Sequence, residues 1–364
     1  TSTFSAPLIR ICSIPTLADE LNTAADTSER RSAGQSVPER MRALCRKCRA
    51  ELPDLELWRN YYVTRHLEMR SVVAHWPVEH SENILEIGCG VGYVSVLLSG
   101  LADRVFATDL PETDTGLHAV GLHRTNEFLS RAGVTNVESH GVDARNMQFE
   151  DESFDIIYSM FVMQHIPDKV RAVEEMHRVL RAGGYMVHLV PSRPMLVYSF
   201  LRFYVYLFKR TFVHLYRIIF RMIGVGGGRR RDSAALDRRS VSEVVESSGQ
   251  FKSFPLQPVF GSYESHADEW RGSGGGYWKD LLTLNGEMKV VEQVSIKLNP
   301  IHIVIDFFSS SASVALFRLF RPLDSFLGRL PIFKHFGVNY LFVIQKPPCA
   351  QELPCAQKPR CAGE

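Results

Sequence analysis

The chain has 364 residues, of which 45% are hydrophobic and 23% charged. These proportions are ordinary for a globular protein and exclude a wholly disordered chain, a collagen or a disulfide mini-protein. With 42 basic against 40 acidic side chains the formal charge is +2, too even to create a global field for nucleic acid or membrane.

Length predicts two or three structural units. Residues 1–56 are rich in Ser, Thr, Ala and Arg and carry eight basic and eight acidic side chains. This segment reads as disordered apart from a helix near 39–50. It has no apolar run of signal-peptide length, and its acidic residues argue against an organellar transit peptide. The chain begins with Thr, which fits removal of an initiator Met or a fragment. Six of the seven cysteines lie in the two terminal segments, a pattern unlike a disulfide framework and consistent with a reducing, cytoplasmic setting. Cys45-Arg-Lys-Cys48 lacks a second pair at zinc spacing, so no metal site is expected.

From residue 57 the pattern becomes globular. Trp58 to Trp76 predicts a helix. Strands are expected at Asn83–Ile87, Arg104–Thr108, Val137–Ser139, Phe154–Ser159 and Tyr185–Val190. Helices are expected between them at Val91–Leu98, Thr115–Ala132 and Lys169–Leu180. Strands apolar on both faces, alternating with helices, imply an α/β fold with a parallel sheet covered on both sides. Arg181-Ala-Gly-Gly184 reads as a helix stop. Residues 192–284 break the alternation. Strand character returns at Lys289–Lys297 and Asn339–Gln345, with an apolar helical segment from about 303 to 335 between them. The tail from residue 347 is low-complexity and rich in Cys and Pro.

The densest signal is Ile84-Leu-Glu-Ile-Gly-Cys-Gly-Val-Gly92. An apolar strand ends in glycines that let the chain turn sharply and let a ligand reach the backbone. The helix that follows presents free N–H groups and a partial positive charge. A dinucleotide fingerprint would need glycine at position 93 or 95, which are Tyr93 and Ser95, and the phosphate-loop spacing is absent.

The pattern E-x-G-x-G-x-G resembles motif I of the class I S-adenosylmethionine-dependent methyltransferases. Asp109 ends the second strand, 23 residues after Glu86. Gly141-Val-Asp-Ala144 follows the third strand, and Ser153-Phe-Asp-Ile-Ile-Tyr-Ser159 leads into Met160-Phe-Val-Met-Gln-His-Ile-Pro-Asp168. Glu175-Met-His-Arg-Val-Leu-Arg-Ala-Gly-Gly184 resembles the family's helix–glycine–strand element. The likeness runs over about residues 80–191 and looks nearest to the type 11 group. It implies a Rossmann-like, doubly wound sheet of seven strands in the order 3-2-1-4-5-7-6, the last antiparallel, with S-adenosylmethionine as cofactor. It further implies that Gly88, Gly90 and Gly92 line the methionine moiety with Glu86 supporting their loop. Asp109 would bind the ribose and Leu110 pack on the adenine. Asp143 would accept from the adenine amino group, Ala144 give a backbone contact, and Met160 lie beside the sulfonium. His165 can face the methyl as a base or serve as a structural turn residue. Tyr61, Tyr62 and Arg65 could close over the cofactor or pack on the sheet.

On this reading the methyltransferase core spans 57–191 and is completed by 285–346, and residues 192–284 form a mainly helical insertion at the mouth of the site. Its stretch from Arg193 to Arg231 holds nine basic residues and no acidic one. At 100° per residue Arg202, Lys209, Arg210, Arg217 and Arg221 fall within about 120°, the rest of the circumference being apolar. No run approaches the roughly 20 apolar residues that span a bilayer. The stretch 195–231 therefore fits a helix lying in a membrane interface, Arg229–Arg231 adding attraction to anionic lipid. An oily helix packed on its own domain or on a second subunit is the other reading. Nucleic acid is not expected, because cations and aromatics lie on opposite faces. Tyr263, Glu264, His266, Glu269 and Trp270 precede an expected flexible loop, Gly272–Gly276, and are candidates for acceptor contact. The expected activity is methyl transfer to a small, lipid-like or lipid-linked acceptor, at a peripheral membrane position. The alternatives are a soluble small-molecule methyltransferase with a self-covered insertion, and a catalytically silent cofactor-binding scaffold. Nothing in the sequence selects oxygen, nitrogen or carbon as the acceptor atom, or an oligomeric state.

Overall fold

The computed structural model describes residues 65, 68, 69, 71–111, 122–222, 259, 261–296, 319 and 337–348. Within them runs a seven-stranded sheet: β1 (Ser81–Ile87), β2 (Ala102–Asp109), β3 (Val137–Gly141), β4 (Phe154–Met160), β5 (Leu180–Pro191), β6 (Lys289–Ile296) and β7 (Asn339–Gln345). The order is β3-β2-β1-β4-β5-β7-β6. The first five strands run parallel to one another, and β7 is antiparallel to both β5 and β6. This is the order that the resemblance implies.

The alternation of side chains along each strand divides the core into two layers. Ile84, Val105, Ile156, Tyr158, Val187, Leu189, Leu341 and Val343 face one side. There α1 (Tyr93–Leu98) and α2 (Leu122–Ala132) cover them, together with Met69 and Val72. Leu85, Ile87, Ile157, Met186, Val190, Phe342 and Ile344 face the other side, against α3 (Lys169–Val179) and Trp278 and Leu282. Of the predicted helix from Trp58 to Trp76, the described residues 65, 68, 69 and 71–74 are helical. Residues 115–121 of the next predicted helix lie outside the described residues, as do 1–56, the apolar segment apart from residue 319, and the Cys/Pro tail from residue 349.

Two local readings are corrected. The glycine pair does not end a helix. The helix α3 stops at Val179, Leu180 is already extended (φ −78, ψ 129), and Gly183 (φ +77) and Gly184 lie within β5. The register slips there, Phe154 facing Leu180 while Ile156 faces Tyr185. At Gly184 a Cβ would come within 2.9 Å of the Arg181 and Asp155 carbonyls. Glycine is therefore required by a bulge that brings two backbones together, rather than by a helix cap. The second correction concerns Gly272–Gly276. These residues are a two-residue connection, Ser273-Gly274, between α5 (His266–Gly272) and α6 (Gly275–Leu282). Three of these glycines sit against side chains: Gly272 on the Tyr263 ring, Gly274 on Arg193 and Gly275 on Gln293 and Tyr340.

After β5 the chain enters α4 (Arg193–Met222), a single helix of 30 residues. Residues 223–258, including Arg229–Arg231, lie outside the described residues.

Candidate active site

The candidate site lies where β1, β2 and β4 end at their carboxyl edges. Gly88, Gly90 and Gly92 all have positive φ (74, 53 and 82), a region in which side chains are disfavoured. Their surroundings differ. A Cβ on Gly88 would overlap the Val162 side chain, and one on Gly92 would lie 2.9 Å from Thr125 Cγ2. Among the described residues, a Cβ on Gly90 would meet nothing within 4 Å. Gly88 and Gly92 thus admit neighbouring protein, and Gly90 is the glycine that faces open space. The loop is fixed from three sides. Gly88 and Cys89 donate to the Thr108 carbonyl at 2.7 and 2.9 Å. Gly90 N–H donates to Asp109 Oδ2 at 2.8 Å, and the Gly90 carbonyl accepts from Thr125 Oγ1 at 2.5 Å.

Glu86 is buried below this loop, accepting at Oε2 from Ser95 Oγ of α1 at 2.5 Å. Burial pushes its carboxyl up to about 8; the Ser95 hydroxyl opposes that shift and the Asp109 charge adds to it. At neutral pH it is mostly protonated. It ties β1 to α1 and so supports the loop indirectly. Cys89, also buried, has its thiol held protonated by burial and by the nearby carboxyls of Glu86 and Asp109.

Asp109 spreads its carboxylate between two backbone donors, Gly90 N–H and its own neighbour Leu110 N–H, both at 2.8 Å. Leu110 is 37% exposed. Asp143 follows β3 and accepts from the Arg145 backbone at 2.9 Å and from its guanidinium at 2.6 Å. The Arg145 side chain holds this carboxyl below the usual range, against a smaller opposing effect of burial. Ala144 beside it is buried. Sequence reasoning missed this Arg145 pairing, although the two residues stand only two apart.

Met160 ends β4, half-buried, at the level of Leu189 on β5. Phe161 then takes φ +57, unusual for a bulky residue. Its N–H donates to the Leu189 carbonyl at 2.9 Å, and the Arg65 guanidinium lies 4.5 Å over its ring. Residues Met163–His165 form one 3-10 turn. Gln164, fully buried, donates from Nε2 to the Phe161 carbonyl at 2.7 Å. Arg65 thus packs on the loop that follows β4. Tyr61 and Tyr62 lie outside the described residues.

Beyond β5, Trp278 of α6 is buried and donates from Nε1 to the Pro191 carbonyl at 3.0 Å. Arg193 donates to the Trp270 carbonyl at 3.0 Å, and His266 and Glu269 pair at 3.0 Å. The Trp278 and Arg193 bonds draw α6 and α5 to the end of β5. Among the described residues, no group of three His, Cys, Asp or Glu is placed to hold a metal ion.

The same stretch of chain matches a family model: residues 85–188 align with a methyltransferase domain. This stretch is therefore similar to the methyltransferases, in keeping with the motifs and the strand order. The chain is 32% identical over 130 residues to the demethylmenaquinone methyltransferase of Staphylococcus epidermidis, covering 35% of this chain and 50% of that protein. It is 28% identical over 127 residues to the ubiquinone/menaquinone biosynthesis C-methyltransferase of Xanthomonas oryzae, covering 35% and 45%. The chain spans about half the length of the curated relatives it matches. A solved S-adenosylmethionine-dependent methyltransferase from Mesorhizobium loti superposes with a TM-score of 0.41 at 15% identity, covering 77% of this chain and 97% of that one.

Proposed function

We propose that the chain transfers a methyl group from S-adenosylmethionine to a lipid-like acceptor of the quinone type. The observation that carries the reading is Gly90. It is the motif glycine with free space at its Cβ position, and its N–H is bonded to the carboxylate that ends β2. That cradle fits a nucleoside bearing a methionine arm. In this reading Gly90 receives the methionine portion, while Gly88 and Gly92 set the loop and Glu86 anchors it through Ser95. The Asp109 carboxylate, at the end of β2, takes the ribose hydroxyls. Leu110 covers the adenine, Asp143 accepts from its amino group and Ala144 lies against the ring. Met160 borders the sulfonium.

The cofactor supplies an electrophilic methyl on sulfur. The protein's part is alignment and exclusion of water, which falls to Met160, Phe161 and Val162 on one side of the cradle. His165 is the titratable side chain on that loop and the residue suited to take a proton from an acceptor hydroxyl.

The acceptor class rests on the matched quinone methyltransferases and on α4. Val197, Phe200, Leu201, Phe208 and Phe212 are exposed along this helix, Phe208 by 74%, in a stretch free of acidic residues from Arg193 to Arg231. No helix among the described residues is long and apolar enough to cross a membrane. Such a surface suits peripheral contact with anionic lipid.

The test is methyl-labelled cofactor with demethylmenaquinol in anionic liposomes. Labelled quinol, lost with Asp109→Ala, is the expected result; no cofactor binding by the wild type overturns the reading. Membrane contact is tested separately by co-sedimentation. Phe208→Asp with Phe212→Asp is expected to lower liposome binding at least about tenfold, and equal, negligible binding by both forms sinks this part.

A further inference from the structure

Residues Gly261–Tyr263 lie about a hundred positions from β4 in sequence and directly on its following loop in space. Ser262 makes two bonds to that loop: its N–H donates to the Gln164 carbonyl at 2.8 Å and its Oγ to the His165 carbonyl at 2.6 Å. Gly261 (φ +102) packs so closely that a Cβ there would overlap the Gln164 carbonyl. Gln164 passes the constraint on, since its side chain holds the carbonyl of Phe161. Phe161 stands in a left-handed conformation between Met160 and Val162, and Val162 fills the face of Gly88.

Lys169 closes the arrangement. It is buried at the first position of α3, where the helix end disfavours a cation. Its Nζ donates to the Ile166 carbonyl at 2.9 Å and the Ser262 carbonyl at 3.3 Å, and it lies 4.5 Å over the Tyr263 ring. Burial lowers its pKa. Among the described residues no carboxylate pairs with it. A buried ammonium held only by carbonyls and a ring is a costly way to stabilise a fold, and an apolar residue of similar size usually serves that purpose as well. Its donors do something that an apolar residue cannot: they fix the position of one backbone against another.

We infer that Gly261, Ser262 and Lys169 are positioning residues, a latch by which the segment after β5 holds the Phe161–His165 loop in place beside the methyl end of the cofactor. The inference rests on the cofactor placement proposed above. The latch couples the acceptor side of the molecule to the geometry of the donor, because any displacement of residues 261–263 is transmitted through Gln164 to Phe161 and Val162.

The test uses the full chain with Gly261→Ala and Lys169→Met, and Ser262→Ala as the milder variant should either fail to fold. Amide hydrogen exchange is read at residues 160–166, and calorimetry gives the affinities for S-adenosylmethionine and S-adenosylhomocysteine. The expected result is exchange about tenfold faster at 161–165, with little change in β1 to β3. The ratio of the two affinities should shift at least about threefold, because only the loop beside the sulfonium has moved. A purely structural role changes both affinities together and leaves their ratio constant. A constant ratio, or faster exchange spread evenly over the sheet, overturns the latch. If the wild type binds neither compound, the cofactor reading has failed, and exchange at 161–165 alone decides whether the latch exists.

Discussion

The two halves of the sheet are built on different terms. From β1 to β4 the site is made of backbone: glycines with positive φ, amides aimed at Asp109 and a loop pinned by Thr108 and Thr125. From β5 onward it is made of long-range side-chain contacts, Trp278 to Pro191, Ser262 to His165 and Lys169 to Ser262. The first half suits a ligand of fixed shape. The second suits a surface that can diverge while the sheet beneath it stays the same.

The largest effect is expected at Asp109. Asp109→Ala removes the partner of Gly90 N–H and the proposed ribose acceptor, charge-assisted bonds worth together about 3 kcal/mol, or roughly a hundredfold in cofactor affinity. Calorimetry checks it, and an unchanged affinity would remove the ligand from the first half altogether. Next come the glycines. Gly88→Ala should cost about 2–4 kcal/mol through overlap with Val162 and a strained φ, and Val162→Ala in the same chain should recover at least about 1 kcal/mol of that. Gly90→Ala should cost only the backbone strain of about 1–2 kcal/mol and gain nothing from Val162→Ala. Denaturant titration of the four variants separates packing from ligand space.

The halves should also differ in their response to pH. Glu86, at about 8 when folded against 4.5 unfolded, binds a proton in the native state that the unfolded chain releases. Its contribution is present below 4.5 and is lost as pH rises through about 8. Glu86→Gln should flatten that alkaline decline. His188 of β5 is buried neutral, shares a 2.7 Å hydrogen bond with Ser159, and is pushed down to about 3 by burial. Here the unfolded state binds the extra proton, so stability is lost as pH falls from 6.5 towards 3. His188→Asn should flatten the acid limb instead. Thermal unfolding from about pH 4 to 9 reads both, and a single limb carried by either residue alone would contradict the division. The smallest effect lies at the join between the halves. Asp168 caps α3 by accepting from Arg171 N–H at 3.2 Å, so Asp168→Ala should cost about 1 kcal/mol in denaturant unfolding.

This division explains what the sequence reveals. The strands and the glycine loop are legible because their constraints are local: an apolar strand, a turn only glycine can make, a carboxylate at a strand end; the strand order came from the family resemblance. Asp143 was singled out through the family resemblance, and its pairing with Arg145 was not foreseen, since a surface arginine carries no signal of its own. Gly183 and Gly184 were given the wrong cause, because a glycine pair after a helix looks the same whether it caps the helix or makes room for a bulge. Lys169 and Ser262 left no trace, as their meaning depends on a contact across about a hundred residues. The individual roles of the three motif glycines were likewise invisible, since only their neighbours Val162 and Thr125 distinguish them.

The place of β7 also shapes how the protein is made. β5 is bordered on one side by β4 and on the other by β7, with Leu189 opposite Leu341. A ribosome adding about 5–20 residues per second reaches Asn339 roughly 7–30 s after completing Pro191. During that interval the parallel half can assemble, but β5 presents an open hydrogen-bonding edge and the apolar side chains that β7 will cover. The nascent chain should therefore be a substrate for chaperones that shield strand edges. Protease sensitivity at β5 should disappear only when translation is arrested after residue 345 has left the exit tunnel.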